Sequence, residues 1–297
     1  MASTVKLLDS VDSTNSLIAR AVAASEFTNA SDCVEHLFER SESETQNFDA
    51  EDDRRLPISI AISDMQTKCR GRQGRTWFNK PGESLLSSWA VPVNRELLDA
   101  RFSGWLTTLC GLALIDALDE VAHRHDLQAL NPDNQFMLKW PNDVFCQGRK
   151  LAGILSEMIP CDTNSAVLVI GIGMNLFVAQ EDLPIDMSTS LQLQYSPLPP
   201  YAELRDEIVC TTTRHLRKEF SSFMSDPAEA VPRLLERVRQ RSWTLGKQVQ
   251  AHLAADKLLI GRALSINDDA SLTILGHDGR RHEVTTADVG VLSNASA

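Results

Sequence analysis

The sequence predicts an α/β protein that ends in a small β unit. Between residues 103 and 125, apolar side chains recur every three or four positions, which is the period of a helix with one buried face. Short apolar or alternating segments lie on both sides of this helix and are typical of strands. Beyond residue 247 only strand patterns remain, separated by turn residues, and this fits a small barrel of about 50 residues.

The N-terminal part combines a helix start, an acidic stretch and one strand. Asp12 to Asn15 precede apolar residues spaced for one helix face, so Ser13 or Thr14 is predicted to cap that helix. The stretch from 31 to 53 is acidic and polar, and it predicts an insertion that is helical at first and then a mobile loop. Residues 58–62 are apolar like a strand and lead towards a basic loop.

The remaining elements follow from the same periodicities. A hairpin turn is predicted at 147–149, and the boundary of the C-terminal unit is predicted near 243–247. Strands are predicted at 84–93, 135–140, 144–146, 151–158, 166–172, 248–253, 258–266, 271–275 and 281–285, and further helices at 201–224 and 228–241.

Composition and charge restrict the class of protein. The 297 residues are 43% hydrophobic and carry a formal net charge of −11, which fits a globular chain with one large and one small domain. No apolar run predicts a membrane helix, and the N-terminus lacks the pattern of a secretion signal. The six cysteines have no paired spacing and no histidine at metal-ligand spacing, so reduced thiols in a cytoplasmic protein are expected.

A cationic loop interrupts this acidic chain at residues 68–75. Lys68, Arg70, Arg72 and Arg75 lie in this loop, which contains no acid. Glycines between the arginines allow a close backbone approach to a ligand, and guanidinium groups bind carboxylate or phosphate oxygens as planar forks. The pattern favours a small anionic ligand in a site over an extended nucleic-acid surface. A solvated basic turn is the alternative interpretation of the loop taken alone.

Four motifs, in this order along the chain, resemble those of the biotin–protein ligase family. They are Asp12–Asn15, Arg70–Trp77, Lys139–Val144 with Gly148–Glu157, and Gly171–Leu176. Independent turns would not reproduce this set in this order. The resemblance extends weakly to the C-terminal barrel, and it does not cover the acidic stretch, which is long for the family.

The resemblance implies a fold, a domain division and an activity. The fold is a mixed sheet with helices packed on one side, plus an SH3-like barrel, and the domains are 1–243, with the acidic insertion at about 31–55, and 244–297. The implied enzyme joins biotin to ATP, with Mg²⁺, to give biotinyl-5′-AMP and pyrophosphate. It then transfers biotin to a lysine of the biotin carboxyl carrier protein domain of biotin-dependent carboxylases.

The resemblance also implies the residues of the site. Lys150, Arg72 and Asp143 are the catalytic candidates. Lys150 and Arg72 would supply the fixed cations that two mutually repelling substrate anions need in a dry site, and Asp143 would orient or deprotonate the incoming lysine. Ser13, Thr14 and Gln66 match positions that bond the ureido ring of biotin. The other implied biotin-binding residues are Arg70, Arg72, Lys150, Gly153, Leu155, Gly171 and Gly173, and the implied nucleotide-binding residues are Arg72, Arg75, Trp77, Lys150 and Asn175. No metal ligand is assigned.

Some of these residues also have ordinary structural interpretations. Lys150 taken alone is more often a solvated hairpin residue, 141–143 fits a simple turn, and the glycines fit close strand packing. Cys69 stands where the family usually has glycine. Its side chain is expected to crowd the ligand or shift the loop, or to be harmless if its backbone angles are ordinary.

Two other functions remain open from the sequence. One is a related lipoate-type ligase, although the glycine-rich, histidine-containing motif of those enzymes is not found and Lys139–Asp143 favours biotin. The other is a non-catalytic protein that retains biotin or biotinyl-AMP. Only 11 residues precede Asp12, too few for a helix-turn-helix, so no DNA binding is expected. No membrane association is expected. The protein is expected to be a monomer or a weak homodimer.

Overall fold

The fold is given by a computed structural model that describes residues 2–39, 56–253, 257–285 and 287–292. The acidic segment predicted to be a mobile loop, 41–53, lies outside these ranges. The predicted helical beginning of the stretch 31–53 is confirmed, since a short helix covers Ala30–Glu35 and is capped by the side chain of Asn29.

Five helices and fourteen strands make up the described elements. The helices are α1 (Thr14–Ala23), α2 (Ala30–Glu35), α3 (Ala100–Arg124), α4 (Tyr201–Ser225) and α5 (Pro227–Arg241). The first nine strands are β1 (Val5–Val11), β2 (Ser59–Gln66), β3 (Ser84–Asn94), β4 (Gln128–Ala129), β5 (Phe136–Lys139), β6 (Asp143–Cys146), β7 (Arg149–Pro160), β8 (Ser165–Asn175) and β9 (Tyr195–Ser196). The C-terminal strands are β10 (Gln248–His252), β11 (Leu258–Ile266), β12 (Leu272–Gly276), β13 (Arg281–Val284) and β14 (Asp288–Val291).

A seven-stranded mixed sheet forms the centre of the molecule, in the order β1-β2-β3-β8-β7-β6-β5. β1 pairs with β2 in parallel, and the other neighbours are antiparallel. The register of β7 against β8 places Gly153 opposite Gly173 and Leu155 opposite Gly171. Two motifs that are separate in the sequence therefore lie side by side on neighbouring strands.

The three long helices cover one face of this sheet, as the sequence predicts. Trp89 of β3 and Trp105 of α3 are fully buried between them, and the indole nitrogen of Trp89 donates to Thr213 of α4 at 2.8 Å. The two short helices add a second, smaller layer on the opposite face, where Ile18 of α1 and Cys33 of α2 pack against Ala90 and Val169. Their apolar positions are few, so sequence periodicity alone gives little sign of this second layer.

The C-terminal strands form a five-stranded antiparallel sheet in the order β13-β12-β11-β10-β14. Two indole nitrogens of the main body donate to carbonyls of the β11–β12 turn. Trp105 reaches Asp268 at 2.7 Å, and Trp140 reaches Ala270 at 2.9 Å. These bonds fix the C-terminal sheet to the main body and bring β14 next to the cationic loop.

The predicted elements are largely confirmed, and four strands are additional, namely β1, β4, β9 and β14. None of them shows a strong alternation of apolar side chains, because β4 and β9 have two residues each, β14 is short, and β1 is an edge strand with no fully buried residue. Ser13 is the cap of α1, since its side chain accepts from the backbone N–H of Ser16. All six cysteines are free thiols. In the described ranges, no helix has the length and apolar character needed to cross a membrane.

Candidate active site

A cavity of about 280 Å³ opens between the start of α1, the cationic loop and the strands β6, β7 and β8. Every site residue predicted from the sequence lines it: Ser13, Thr14, Gln66, Arg70, Arg72, Arg75, Trp77, Asp143, Lys150, Gly153, Leu155, Gly171, Gly173 and Asn175. The fold therefore gathers motifs from distant parts of the chain around one space.

One end of the cavity, formed by Ser13, Thr14 and Gln66, is a fixed polar surface. The side chain of Gln66 accepts the backbone N–H of Thr14 at 3.1 Å, and the hydroxyls of Thr14 and Ser88 lie 2.6 Å apart. Asn79 holds the backbone of Gln66 by two bonds of 3.1 Å. This polar end is thus pre-arranged by bonds within the protein.

The cationic loop turns tightly on itself before it reaches the cavity. The backbone N–H of Gly71 donates to the carbonyl of Arg75 at 2.6 Å, and residues 72–74 form a single 3₁₀ turn. Gly74 has a φ of +72°, a backbone conformation that residues with a Cβ rarely adopt. The turn carries Arg72 and Arg75 to the same side as the C-terminal sheet, where both find partners.

The three arginines of the loop differ in how their charge is compensated. Arg70 pairs with Glu157 at 2.8 Å, and Arg75 pairs with Asp288. Arg72 donates instead to two neutral acceptors, the amide oxygen of Asn142 at 2.8 Å and the carbonyl of Ala287 at 3.3 Å. Among the described residues, no carboxylate lies within ion-pair distance of Arg72. Its positive charge is therefore held in place but not neutralised.

Asp288 connects the C-terminal sheet to this charge distribution. Burial is the largest single effect and opposes ionisation of its carboxyl group, but the hydrogen bond of Arg75 and the charges of Arg75, Lys139 and Arg72 together lower the pKa of Asp288. Asp288 is therefore an anion at neutral pH that pairs directly with the outer arginine of the loop, whereas Arg72 feels its charge without a direct ion pair.

Lys150 and Asp143 form an ion pair on the β6–β7 hairpin. Lys150 Nζ lies 2.8 Å from Asp143 Oδ1, and Lys139 Nζ lies 3.4 Å from Oδ2. Burial is the main cause that lowers the pKa of Lys139, and the charge of Asp143 opposes this effect. Gly148, with φ of +73°, makes the tight hairpin turn that brings Lys150 back beside Asp143. The predicted hairpin is confirmed, and Lys150 is directed into the cavity.

Three cavity glycines leave space for protein side chains. A Cβ on Gly173 would lie 2.8 Å from the indole of Trp77, and one on Gly153 would lie 3.1 Å from it. A Cβ on Gly171 would lie 2.2 Å from the Oδ1 atom of Asn15. The glycines thus make room for Trp77 and Asn15, and their predicted role of leaving space for a ligand stays a prediction. The buried indole nitrogen of Trp77 has no partner among the described residues, so a donor is left at the cavity wall.

The segment 184–189 closes the side of the cavity next to Lys150. The backbone N–H of Lys150 donates to the carbonyl of Met187 at 2.7 Å, and Thr189 donates back to the carbonyl of Lys150 at 2.9 Å. The side-chain amide of Asn175 donates to the carbonyl of Thr189 at 2.9 Å. Asn175 therefore lines the cavity while it also anchors this segment.

Cys69 is accommodated without distortion. The non-glycine residues with positive φ in the described ranges are Asp126, Gln147 and Ala270, so the backbone at Cys69 is ordinary. Its thiol lies 3.1 Å from the amide nitrogen of Asn79, and burial raises its pKa to about 11. The ordinary backbone meets the condition stated for a harmless side chain, whereas crowding of a ligand by Cys69, which lines the cavity, stays a prediction.

Four further residues belong to the site and were not predicted. Asn15 and Glu157 lie inside the motifs: Asn15 donates to Glu157, which also accepts from Arg70. Asn142 accepts a hydrogen bond from Arg72. A polar residue inside each motif is a weak signal that was present in the sequence. Asp288 has no such signal, because only the packing of the C-terminal sheet brings it to the loop.

The sequence pattern of the Biotin/lipoate A/B protein ligase family matches residues 38–175. The biotin–[acetyl-CoA-carboxylase] ligase of Mycobacterium tuberculosis is 31% identical over 230 residues, which cover 77% of this chain and 77% of that protein. The chain belongs to the biotin–protein ligase family. Bifunctional ligase/repressor BirA of Bacillus subtilis is 26% identical over 238 residues, which cover 78% of this chain and 65% of BirA.

Solved structures of the biotin–protein ligase family share this fold. The biotin protein ligase of Aquifex aeolicus in complex with biotin and ATP has a TM-score of 0.63 at 21% identity, with 97% of this chain and 99% of that chain covered. Another crystal structure of the Aquifex aeolicus ligase has a TM-score of 0.65 at 17% identity and covers 98% of this chain. The mixed α/β architecture thus agrees with the family over nearly the whole chain.

The carboxylates at the cavity determine how a metal could bind. Asp143 and Asp288 line it, and each is paired with a cation. Across the part of the chain that the structure describes, no cluster of three or more His, Cys, Asp or Glu side chains is arranged to hold a metal ion. Mg²⁺ often binds through substrate phosphates with one or two carboxylates. The donor set fits a metal that enters with a nucleotide.

Proposed function

We propose that this protein is a biotin–protein ligase, which forms biotinyl-5′-AMP from biotin and ATP and then biotinylates a lysine of a carrier domain. The observation that supports this most directly is the state of Arg72. It is fixed at the cavity by Asn142 and the carbonyl of Ala287, both neutral, so its charge is available to substrate anions. A fixed cation without a direct carboxylate partner, in a partly enclosed site, stabilises anions more than a mobile cation in water does.

The first step needs two anions to meet. A carboxylate oxygen of biotin attacks the α-phosphorus of ATP, the bond to the β-phosphate breaks, and pyrophosphate leaves with its electron pair. Arg72 and Lys150 both line the cavity and supply positive charge for the carboxylate and the α-phosphate. The product is the mixed anhydride biotinyl-5′-AMP. Mg²⁺ is part of the proposal: it would supply positive charge for the departing phosphates, and Asp143 or Asp288, each paired with a cation in this structure, would hold it through a carboxylate oxygen.

The polar end of the cavity suits the ureido ring of biotin. That ring has N–H donors and a carbonyl acceptor that need partners when buried. Ser13 and Thr14 bring hydroxyl groups, and Gln66 is held rigidly beside them. Leu155 and the cavity glycines provide the apolar wall along which the bicyclic ring would lie.

The nucleotide is expected on the side of Trp77, Arg75 and Asn175. The ring of Trp77 lines the cavity there and offers a flat surface for stacking. Asn175 holds the segment 184–189 against this side of the cavity. Arg75 stands at the outer rim, where its charge is shared with Asp288.

The second step transfers the acyl group. The amine of the carrier lysine attacks the acyl carbon of biotinyl-5′-AMP, an amide bond forms, AMP leaves, and the amine loses its proton. Asp143 is the proposed group that orients this amine, because its carboxylate lies at the cavity between Lys139 and Lys150. The proposed partner is the carrier domain of a biotin-dependent carboxylase, consistent with the name of the Mycobacterium tuberculosis relative.

The experiment that tests this function is exchange of labelled pyrophosphate into ATP with the purified chain and Mg²⁺. We expect exchange that depends on biotin and that lipoate does not replace. Exchange with lipoate alone would identify a lipoate-type ligase, and tight biotin binding without exchange would identify a non-catalytic binder. A second incubation with a purified carrier domain should attach biotin to one lysine, and a carrier with that lysine replaced by arginine is the matched control.

A further inference from the structure

A continuous path of side-chain hydrogen bonds joins the polar end of the cavity to the cationic loop. It starts at the Thr14 hydroxyl, which lies 2.6 Å from the Ser88 hydroxyl. Ser88 lies 2.6 Å from Asn15 Oδ1, and Asn15 Nδ2 donates to Glu157 Oε2 at 2.7 Å. Glu157 Oε2 then accepts from Arg70 at 2.8 Å. Four separate segments of the chain contribute to this path.

Asn15 is the rigid part of the path. It is 4% exposed, its Oδ1 atom contacts Ser88, and its Nδ2 atom donates both to Glu157 and to the carbonyl of Leu155 at 3.2 Å. The amide cannot rotate without losing these bonds, and it packs against Gly171 in the space that a Cβ would occupy. Asn15 therefore presents its amide N–H groups to Glu157 in one orientation.

Glu157 connects this rigid amide to a more mobile part of the site. Its side chain is 35% exposed and that of Arg70 is 45% exposed, so their ion pair lies at the mouth of the cavity. The start of the loop is otherwise held by a backbone bond from Lys68 to the carbonyl of Asp12 at 2.8 Å. In the described part of the chain, Glu157 is the carboxylate that pairs with Arg70.

We propose that Glu157, oriented by Asn15, is a positioning residue that holds Arg70 and the first arm of the cationic loop against the biotin-binding cavity. This inference rests on the proposed function. Glu157 would act through Arg70 and would not touch the reacting atoms. Its loss should therefore weaken binding of biotin and retention of biotinyl-5′-AMP, while the chemistry at Lys150 continues at a similar maximal rate.

The direct test is a double-mutant cycle in the pyrophosphate exchange assay with Glu157→Gln, Arg70→Gln and the double variant. Glu157→Gln should raise the KM for biotin roughly three- to fivefold, the range of a half-exposed ion pair, with kcat changed less than about twofold. In the Arg70→Gln background, Glu157→Gln should have no further effect. Glu236→Gln, which removes an exposed carboxylate paired with Arg239 on α5, is the control and should match the parent.

Two results would overturn the positioning proposal. Independent effects of the two substitutions, multiplying in the double variant, would mean that Glu157 acts on another target. An unchanged KM in Glu157→Gln would mean that the ion pair positions nothing of consequence. Thermal unfolding of each variant should agree with the parent within a few degrees, which separates a positioning effect from a folding defect.

A second measurement does not depend on catalysis. Trypsin cuts after the basic residues of the loop, and the cut chains are identified by mass. Without ligand, Glu157→Gln should be cut at Arg72 and Arg75 several times faster than the parent and the Glu236→Gln control. Equal cutting would contradict the positioning of the loop. If the parent shows no biotin-dependent exchange, the proposed function fails, and this assay still decides whether Glu157 holds the loop.

Discussion

Asp143 is bound by two lysines at once, with Lys150 2.8 Å from one carboxylate oxygen and Lys139 3.4 Å from the other. The two cations differ in mobility. Lys139 is only 12% exposed and is held at the base of the site, whereas Lys150 is 28% exposed and lines the cavity. Lys150 is therefore able to turn towards a substrate anion while Lys139 continues to neutralise the buried carboxylate.

This arrangement predicts the effect of replacing Lys150 with alanine. Formation of biotinyl-5′-AMP should fall by about 10²–10³, equivalent to ~2.7–4 kcal/mol for one group that stabilises charge in the transition state. The fold should persist, because Asp143 keeps Lys139 as its partner. Pyrophosphate exchange measures the loss, and Lys218→Ala, on the exposed side of α4, is the control. Near-normal exchange in Lys150→Ala would remove this residue from the catalytic step.

Arg72→Gly should release the reactive intermediate. The substitution removes the one arginine of the loop whose partners, among the described residues, are all neutral, so biotinyl-5′-AMP would lose a fixed cation. Free biotinyl-5′-AMP then acylates lysines on bystander proteins, which streptavidin blotting detects after incubation with serum albumin. Arg72→Lys, which keeps the charge, should show less of this labelling. Labelling confined to the carrier in Arg72→Gly would place Arg72 outside the adenylate site.

Deletion of the acidic segment 41–53 should leave adenylation intact. Its composition, rich in Glu, Asp and Ser, does not supply the apolar surface of a core. With a short Gly/Ser join in its place, pyrophosphate exchange is expected within a few-fold of the parent. A deletion variant that has the same unfolding temperature as the parent but gives no exchange would show that the segment belongs to the site.

Duplex DNA should bind weakly to this protein. The net charge is −11, and the arginines of the cationic loop lie at the cavity, two of them paired with carboxylates. Neutralising several phosphates needs spread Lys and Arg contacts, which are accompanied by a steep salt dependence. Fluorescence anisotropy with biotin, ATP and labelled DNA measures this. Sequence-specific binding tighter than about 10⁻⁷ M at physiological salt would contradict the prediction.

The stability of the α3–α4 contact should depend on pH through Glu120. Hydrogen bonds from Arg214 and His215 lower the pKa of Glu120 to about 2. A carboxyl group whose pKa is lower in the folded than in the unfolded state stabilises the protein at pH values above its unfolded-state pKa. This stabilisation is lost as the pH falls towards the folded-state pKa. Glu120→Gln should therefore cost about 1 kcal/mol or less at pH 7. Urea unfolding should show the difference from the parent shrinking between about pH 4.5 and 2.

The sequence, through its periodicities and its family motifs, determined the periodic elements and many of the residues that line the cavity. Helices such as α3 and strands such as β8 follow from neighbours in the chain, because apolar spacing reports directly on which face is buried. The arginines of the cationic loop indicated an anionic ligand, the family resemblance implied two substrate anions, and the described cavity contains every predicted site residue. These are local properties, and they are readable without knowing which strands pair.

Only the tertiary structure decided how those residues are connected. The pairing of β1 with β2, the alignment of Gly153 with Gly173 and the arrival of Asp288 at the cationic loop all depend on sheet order and packing between distant segments. The distinction between Arg72 and its neighbours has the same origin. All three arginines look alike in the sequence. They differ in whether their partners are carboxylates or neutral groups, and one of these partners lies 215 positions away in the chain. Local spacing cannot predict such partners.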